Sequence, residues 1–215
     1  MIDKYAVLAI IFDIDGTLLD TREFIYQAFE HTFDYHQLKR ISREEIGKSI
    51  AQPLFDRYRK LVPGLSAEVL CRTHRAFQAD HLDLALPFKN TVATLSEIQR
   101  REIRMGVVTS RSKQNSNLTL ELTGILDYFE VVVSLEDVTR PKPFPDGILK
   151  ALQLMGVEPG NSLMVGDMDE DIQAGKNAKV RTVAATYGFK GVNLALSKPD
   201  YAINDIQEIL SVALK

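Results

Sequence analysis

The chain has 215 residues, 45% of them hydrophobic and 26% charged, with a net charge of −3, an ordinary composition for a soluble globular protein built as one large domain or a core with one insertion. The mild negative charge gives no reason to expect nucleic acid or an anionic membrane as partner, so an anionic substrate has to be attracted by local groups. The single cysteine, Cys71, excludes an internal disulfide and a cysteine-rich metal site; the opening residues lack a signal-peptide pattern and no apolar run reaches membrane-spanning length, so the expected location is cytoplasmic.

Tyr5 to Phe12 is an unbroken apolar run that reads as a strand buried on both faces, as in a parallel sheet. It stops at Asp13-Ile14-Asp15-Gly16-Thr17. In an extended segment residues i and i+2 point the same way, so Asp13 and Asp15 can face one site. Gly16 permits the turn that ends the strand. Two like charges this close need a proton or a cation between them, and a hard ion with oxygen ligands, Mg²⁺ above all, fits. Strand ends of this kind are where open α/β sheets bind ligands.

From Asp20 the pattern turns helical. Asp20 and Glu23 resemble a capping box, and Phe24, Ile25, Ala28, Phe29 and Phe33 recur at helical spacing. Ser42 offers a second start, Leu54 to Leu61 reads as a short helix, and Ser66 caps a longer one running toward Leu84. No strand is expected from 20 to 86. A crossover between parallel strands needs only a dozen or so residues, so this stretch reads as an inserted helical domain. Its basic residues (Arg57, Arg59, Lys60, Arg72, Arg75) read as a solvated face. Its four histidines, His31, His36, His74 and His81, lack metal-ligand spacing and read as solvated or partly packed.

After Pro87 strands and helices alternate. Helices are expected over 91–101, 112–122, 145–155, 169–177 and 205–214, and strands over 105–109, 131–133, 162–165 and 180–184. That order implies a parallel sheet covered on both faces. The strand ending in Thr109-Ser110-Arg111 offers hydroxyls and backbone N–H groups to an anion, though Thr and Ser also serve simply as helix caps. Lys142, with prolines on both sides, sits on a stiffened loop as a fixed point charge for a phosphoryl group; a solvated lysine is the alternative. Gly166-Asp167 ends a further strand, and Asp171 falls in the first turn of the next helix, so two more oxygen donors can share a cation with Asp13.

Taken together, DxDGTLxD at Asp13–Asp20, the strand ending in Thr109, KPxPD from Lys142 and GDxxxD from Gly166 resemble the four motifs of the haloacid dehalogenase-like superfamily of phosphohydrolases, and most closely its phosphoglycolate phosphatase-like branch. The resemblance implies a Rossmann-like α/β core over 1–18 and 87–215, with a small α-helical cap over 19–86 that would move during turnover. It further implies a Mg²⁺-dependent phosphatase for a small phosphorylated metabolite such as phosphoglycolate. Asp13 would be the nucleophile and Asp15 the general acid and base. Thr109, Ser110 and Lys142 would hold the phosphate, and Asp13, Asp15 (through its backbone carbonyl), Asp167 and Asp171 the metal. A phosphomutase like β-phosphoglucomutase or a pyrophosphatase would share these motifs. A phospho-Asp receiver domain is the non-enzyme alternative, disfavoured by Asp15 and by the helical insertion. Met168 departs from the small hydroxyl residue common after the Gly-Asp pair. Monomer and dimer are both left open.

Overall fold

A computed structural model describes residues 6–50 and 52–213. By contacts the chain divides into two compact units, Met1–Asp20 with Pro87–Lys215, and Thr21–Leu86.

The first unit is built on six strands: β1 Ala9–Phe12, β2 Arg104–Val108, β3 Val131–Val133, β4 Ser162–Gly166, β5 Arg181–Ala185 and β6 Tyr201–Ile203. They form one sheet in the order β3-β2-β1-β4-β5-β6, every neighbouring pair parallel. The order reverses between β1 and β4, which places a topological switch point beside the central strand, where open parallel sheets bind their ligands. β1 is shorter than expected: Ala6 to Leu8 precede it, and Tyr5 lies outside the described residues. All four of its residues are buried.

The second unit holds the helices α1 Arg22–Tyr35, α2 Arg43–Gly47, α3 Leu54–Leu61 and α4 Ala67–Asp80. Ser42 and Ser66 cap α2 and α4 as expected, accepting from the N–H groups of Glu45 and Val69. The α1 start differs from the expectation. Thr21, not Asp20, is the N-cap, and the Glu23 carboxylate is engaged by Arg43 at 2.7 Å instead of folding back onto the backbone. Two further expectations fail here. Arg57 is buried, its guanidinium 4.5 Å from the centre of the Phe29 ring; a planar, weakly hydrated cation can stack where an ammonium could not. His74 is buried as well, its Nδ1 2.8 Å from the Tyr58 hydroxyl. Cys71 is free and buried. Two-residue extended segments, Leu19–Asp20 and Leu86–Pro87, stand at the two ends of the insertion, where no strand was expected.

The remaining helices belong to the first unit: α5 Thr91–Arg100, α6 Lys113–Leu122, α7 Asp146–Met155, α8 Asp169–Ala178 and α9 Ile209–Ala213. Alternate residues of β1 feed two separate cores, as the two-residue period of a strand requires. Ile10 and Phe12 join Leu95 and Ile98 of α5, Leu120 of α6 and Ile209 of α9. Ala9 and Ile11 join Ile148 and Leu152 of α7 and Ala174 of α8. At roughly 1.5–3 kcal/mol for each large side chain fully buried, these two layers hold the sheet between its helices. β6 was not foreseen: it is a three-residue edge strand with Ala202 exposed. The closing helix is shorter than read, a 3₁₀ turn at Ile206–Glu208 followed by α9; Leu214 lies outside the described residues. Among the described residues no helix is long and apolar enough to cross a membrane.

Candidate active site

The tips of β1, β2 and β4 bring the sequence motifs together. Asp13 follows β1, and its N–H continues the sheet by donating to the Val165 carbonyl at 3.0 Å. The Lys142 ammonium donates to Asp13 Oδ1 and to Asp171 Oδ1, each at 2.6 Å, and to the Val108 carbonyl at 3.2 Å. The lysine side chain is 7% exposed. It is thus a fixed charge between two strand tips and the start of α8, and the solvated alternative is set aside. Burial disfavours the ammonium, but Asp13 and Asp171 outweigh it and hold the Lys142 pKa above its usual value.

Asp167 closes the cluster. It is fully buried, and its carboxylate accepts from the Phe189 N–H at 2.7 Å and from the Thr17 hydroxyl at 3.3 Å. Thr17 is held in turn by the Tyr187 hydroxyl, which donates to its carbonyl at 2.9 Å. Gly16 lies at φ +77°, and a Cβ there would fall 2.2 Å from Asp167 Oδ2. That glycine is therefore needed both for the turn and for the close approach of the carboxylate. Asp171 is the third residue of α8, and its second oxygen accepts from the Met168 N–H at 3.0 Å. Met168 thus serves through its backbone, so the missing hydroxyl does not disturb this contact.

Oxygens of Asp13, Asp167 and Asp171 lie within 4.8 Å of one another, all three residues buried. Burial chiefly, with Asp171 and Asp15 adding to it against the pull of Lys142, raises the Asp13 pKa to about 7. Burial also lifts Asp167 well above the carboxylate range, with Asp171 and Asp13 contributing. Three buried carboxylates facing one another beside Lys142 are a set of oxygen donors that could hold a hard divalent cation. The residues present fit such an ion.

Asp15 is placed differently. Its carboxylate is gripped by both prongs of Arg111, Nε to Oδ2 at 2.7 Å and Nη2 to Oδ1 at 2.6 Å. Each aspartate of the DxD pair therefore has its own protein cation, an answer to their mutual repulsion that the sequence reading did not reach. Thr109, just past β2, is buried and hydrogen-bonded to the sheet through its N–H to Val133; its hydroxyl oxygen accepts from the Arg111 N–H at 3.2 Å, leaving the hydroxyl proton to donate. Ser110 follows in the same turn, half-buried. Arg111, Thr17, Tyr187 and Phe189 were missed. Arg111 and Thr17 lay within quoted motifs, but nothing in the spacing indicated partners 96 and 150 positions away.

Known proteins resemble the chain over nearly its whole length. Residues 10–185 match the family model described as haloacid dehalogenase-like hydrolase. The chain is 37% identical over 209 residues to pyrophosphatase PpaX of Oceanobacillus iheyensis, covering 96% of this chain and 97% of that one. It is 35% identical over 217 residues to pyrophosphatase PpaX of Bacillus velezensis, covering 99% and 98%. A predicted phosphoglycolate phosphatase from Haemophilus somnus has the same fold, with a TM-score of 0.88 at 22% identity over 99% of both chains. So does CbbY from Rhodobacter sphaeroides, solved with xylulose-(1,5)bisphosphate, with a TM-score of 0.84 at 22% identity over 94% of this chain and 96% of that one. The chain belongs to the haloacid dehalogenase-like hydrolase family, as an enzyme of its phosphatase class.

Proposed function

We propose that the chain hydrolyses a small phosphate ester or anhydride through an aspartyl-phosphate on Asp13, with Mg²⁺ held by Asp13, Asp167 and Asp171. The observation that carries this reading is the Lys142 ammonium, 2.6 Å from both Asp13 and Asp171 in a cluster whose three carboxylates could hold a cation. The bound ion would neutralise charge on the phosphoryl oxygens. Asp13 attacks phosphorus through a carboxylate oxygen, and the bond from phosphorus to the leaving oxygen breaks. Asp15 gives that oxygen a proton. Asp15 then takes a proton from water as the water attacks the aspartyl-phosphate, which frees Asp13 and releases phosphate. Lys142 and Thr109 hold the transferring group. General acid–base groups of this kind contribute about 10²–10⁴-fold, and splitting the displacement into two steps replaces one difficult attack with two easier ones.

For the substrate, phosphoglycolate was the first expectation from sequence. Two relatives more than 30% identical over nearly their full lengths are named pyrophosphatases, which moves pyrophosphate to first place and phosphoglycolate to second. Phosphate release from a panel of both compounds, sugar phosphates and nucleotides, with Mg²⁺ and again with EDTA, tests the reading. Mg²⁺-dependent release is expected, greatest with pyrophosphate. Undiminished release in metal-free buffer, or none from any compound, would refute it.

A further inference from the structure

The fork between Arg111 and Asp15 is not explained by the fold. A buried ion pair is weak evidence for stability, because desolvating both charges offsets most of their attraction. Here the arginine side chain is 12% exposed and that of Asp15 is 23% exposed. The Arg111 N–H donates to the Thr109 hydroxyl oxygen at 3.2 Å, and its carbonyl accepts from the Leu135 N–H at 2.9 Å. Its third nitrogen, Nη1, donates to the Thr119 hydroxyl at 2.7 Å, two turns into α6. One residue therefore links the phosphate-side threonine, the body of α6 and the second aspartate of the DxD pair. A planar fork fixes a carboxylate in both position and plane, which an ammonium cannot do.

We propose that Arg111 is a positioning residue for Asp15: it aims the carboxylate that exchanges a proton with the leaving group, and Thr119 anchors it from behind. The role rests on the phosphatase reading above and adds a residue that the reading does not use. Without the fork, Asp15 loses the two bonds that set the position and plane of its carboxylate, and a misaimed acid costs most when the leaving oxygen most needs a proton.

The test is kcat/KM, which reports the first chemical step, over aryl phosphates graded from p-nitrophenyl to phenyl phosphate. The variants are Arg111→Gln, Arg111→Lys and Thr119→Val, with circular dichroism to establish folding and inhibition by inorganic phosphate to report phosphate binding. Arg111→Gln should lose roughly 10²-fold with phenyl phosphate, the lower end of what a general acid supplies, and about ten-fold less than that with p-nitrophenyl phosphate. Arg111→Lys should fall between it and the wild type. Thr119→Val should repeat the pattern at smaller size, which keeps the claim testable if the Arg111 variants do not fold. Inhibition by phosphate should stay within about three-fold of the wild type. An equal loss across the series in a folded variant overturns the proposal in favour of a structural role. A ten-fold weaker phosphate inhibition with an unchanged leaving-group dependence overturns it in favour of substrate binding. A wild type without metal-dependent turnover refutes the phosphatase reading itself, and the positioning role falls with it.

Discussion

Lys142→Met is the substitution whose outcome the site geometry determines most fully. The ammonium is 7% exposed and lies 2.6 Å from each of two buried carboxylates. Methionine keeps much of the volume and removes the charge, so Asp13 and Asp171 are left facing each other and Asp167. Removing one partner of a buried ion pair typically costs about 3–5 kcal/mol, and that is the expected loss in metal-free protein near pH 8. The loss should shrink toward pH 5. Asp13 already has a pKa raised to about 7 by burial, against the pull of Lys142. Without the lysine it rises further, and below it the proton replaces the missing cation. Mg²⁺ should rescue the variant, because a ligand present at about 100 times its Kd adds roughly 2.7 kcal/mol. Urea unfolding followed by far-UV circular dichroism, at pH 5 and pH 8, with EDTA and with Mg²⁺, measures all three effects. A variant within about 1 kcal/mol of wild type at pH 8, against the typical cost of losing a buried partner, or a loss greater at pH 5 than at pH 8, would refute the reasoning.

Three further outcomes follow from individual contacts in the structure. In EDTA, a folded-state pKa for Asp13 of about 7 against 3.8 means the native state holds a proton that the unfolded chain has lost. Wild-type stability should therefore fall as pH rises through that window, by up to about 1.4 kcal/mol per pH unit, and Asp13→Asn should lack this component; parallel pH curves for the two proteins would contradict it. Gly16→Ala forces a Cβ to within 2.2 Å of Asp167 Oδ2 at φ +77°, so stability should drop by roughly 1–3 kcal/mol and turnover should fall with it, whereas unchanged kinetics would mean that Asp167 need not sit where it does. Asp137, which accepts from the Ser134 N–H at 3.1 Å, has its pKa lowered mainly by that bond. Its contribution is present above the unfolded carboxylate pKa and lost as pH falls through the folded one, so Asp137→Asn should cost about 0.5–1.5 kcal/mol at pH 7 and nearly nothing at pH 2.5. An equal cost at both pH values would place the effect elsewhere.

The parts of the site that were legible in the sequence are those fixed by a strand end. Asp13, Thr109 and Asp167 each follow an apolar run within a residue or two, and the doubly wound topology sends all those ends to one edge. Lys142 was legible because its prolines stiffen the loop. What the sequence withheld was pairing at a distance. Nothing in Thr-Ser-Arg says that Arg111 grips Asp15, since this depends on the register between β1 and β2 and on the rotamer of a long side chain. The same holds in the helical unit, where Arg57 reads as one basic residue among several until its neighbour Phe29 is known. His74 likewise lacks any local signal that its hydrogen-bond partner is Tyr58. Tyr201–Ile203 escaped because a three-residue edge strand is too short and too exposed for its pattern to stand out. The Glu23 carboxylate was misassigned because local capping chemistry competed with an arginine from another helix and lost.

The central claim is that Asp13 carries the phosphoryl group and Asp15 moves the proton, and labelling the enzyme with ³²P from p-nitrophenyl phosphate tests it most directly. This leaving group hardly needs a proton, so Asp15→Asn should still form the aspartyl-phosphate but hydrolyse it slowly, and label should accumulate on the peptide containing Asp13. Asp13→Asn should acquire none. Equal labelling of the two variants, or label on a peptide that lacks Asp13, would contradict the account.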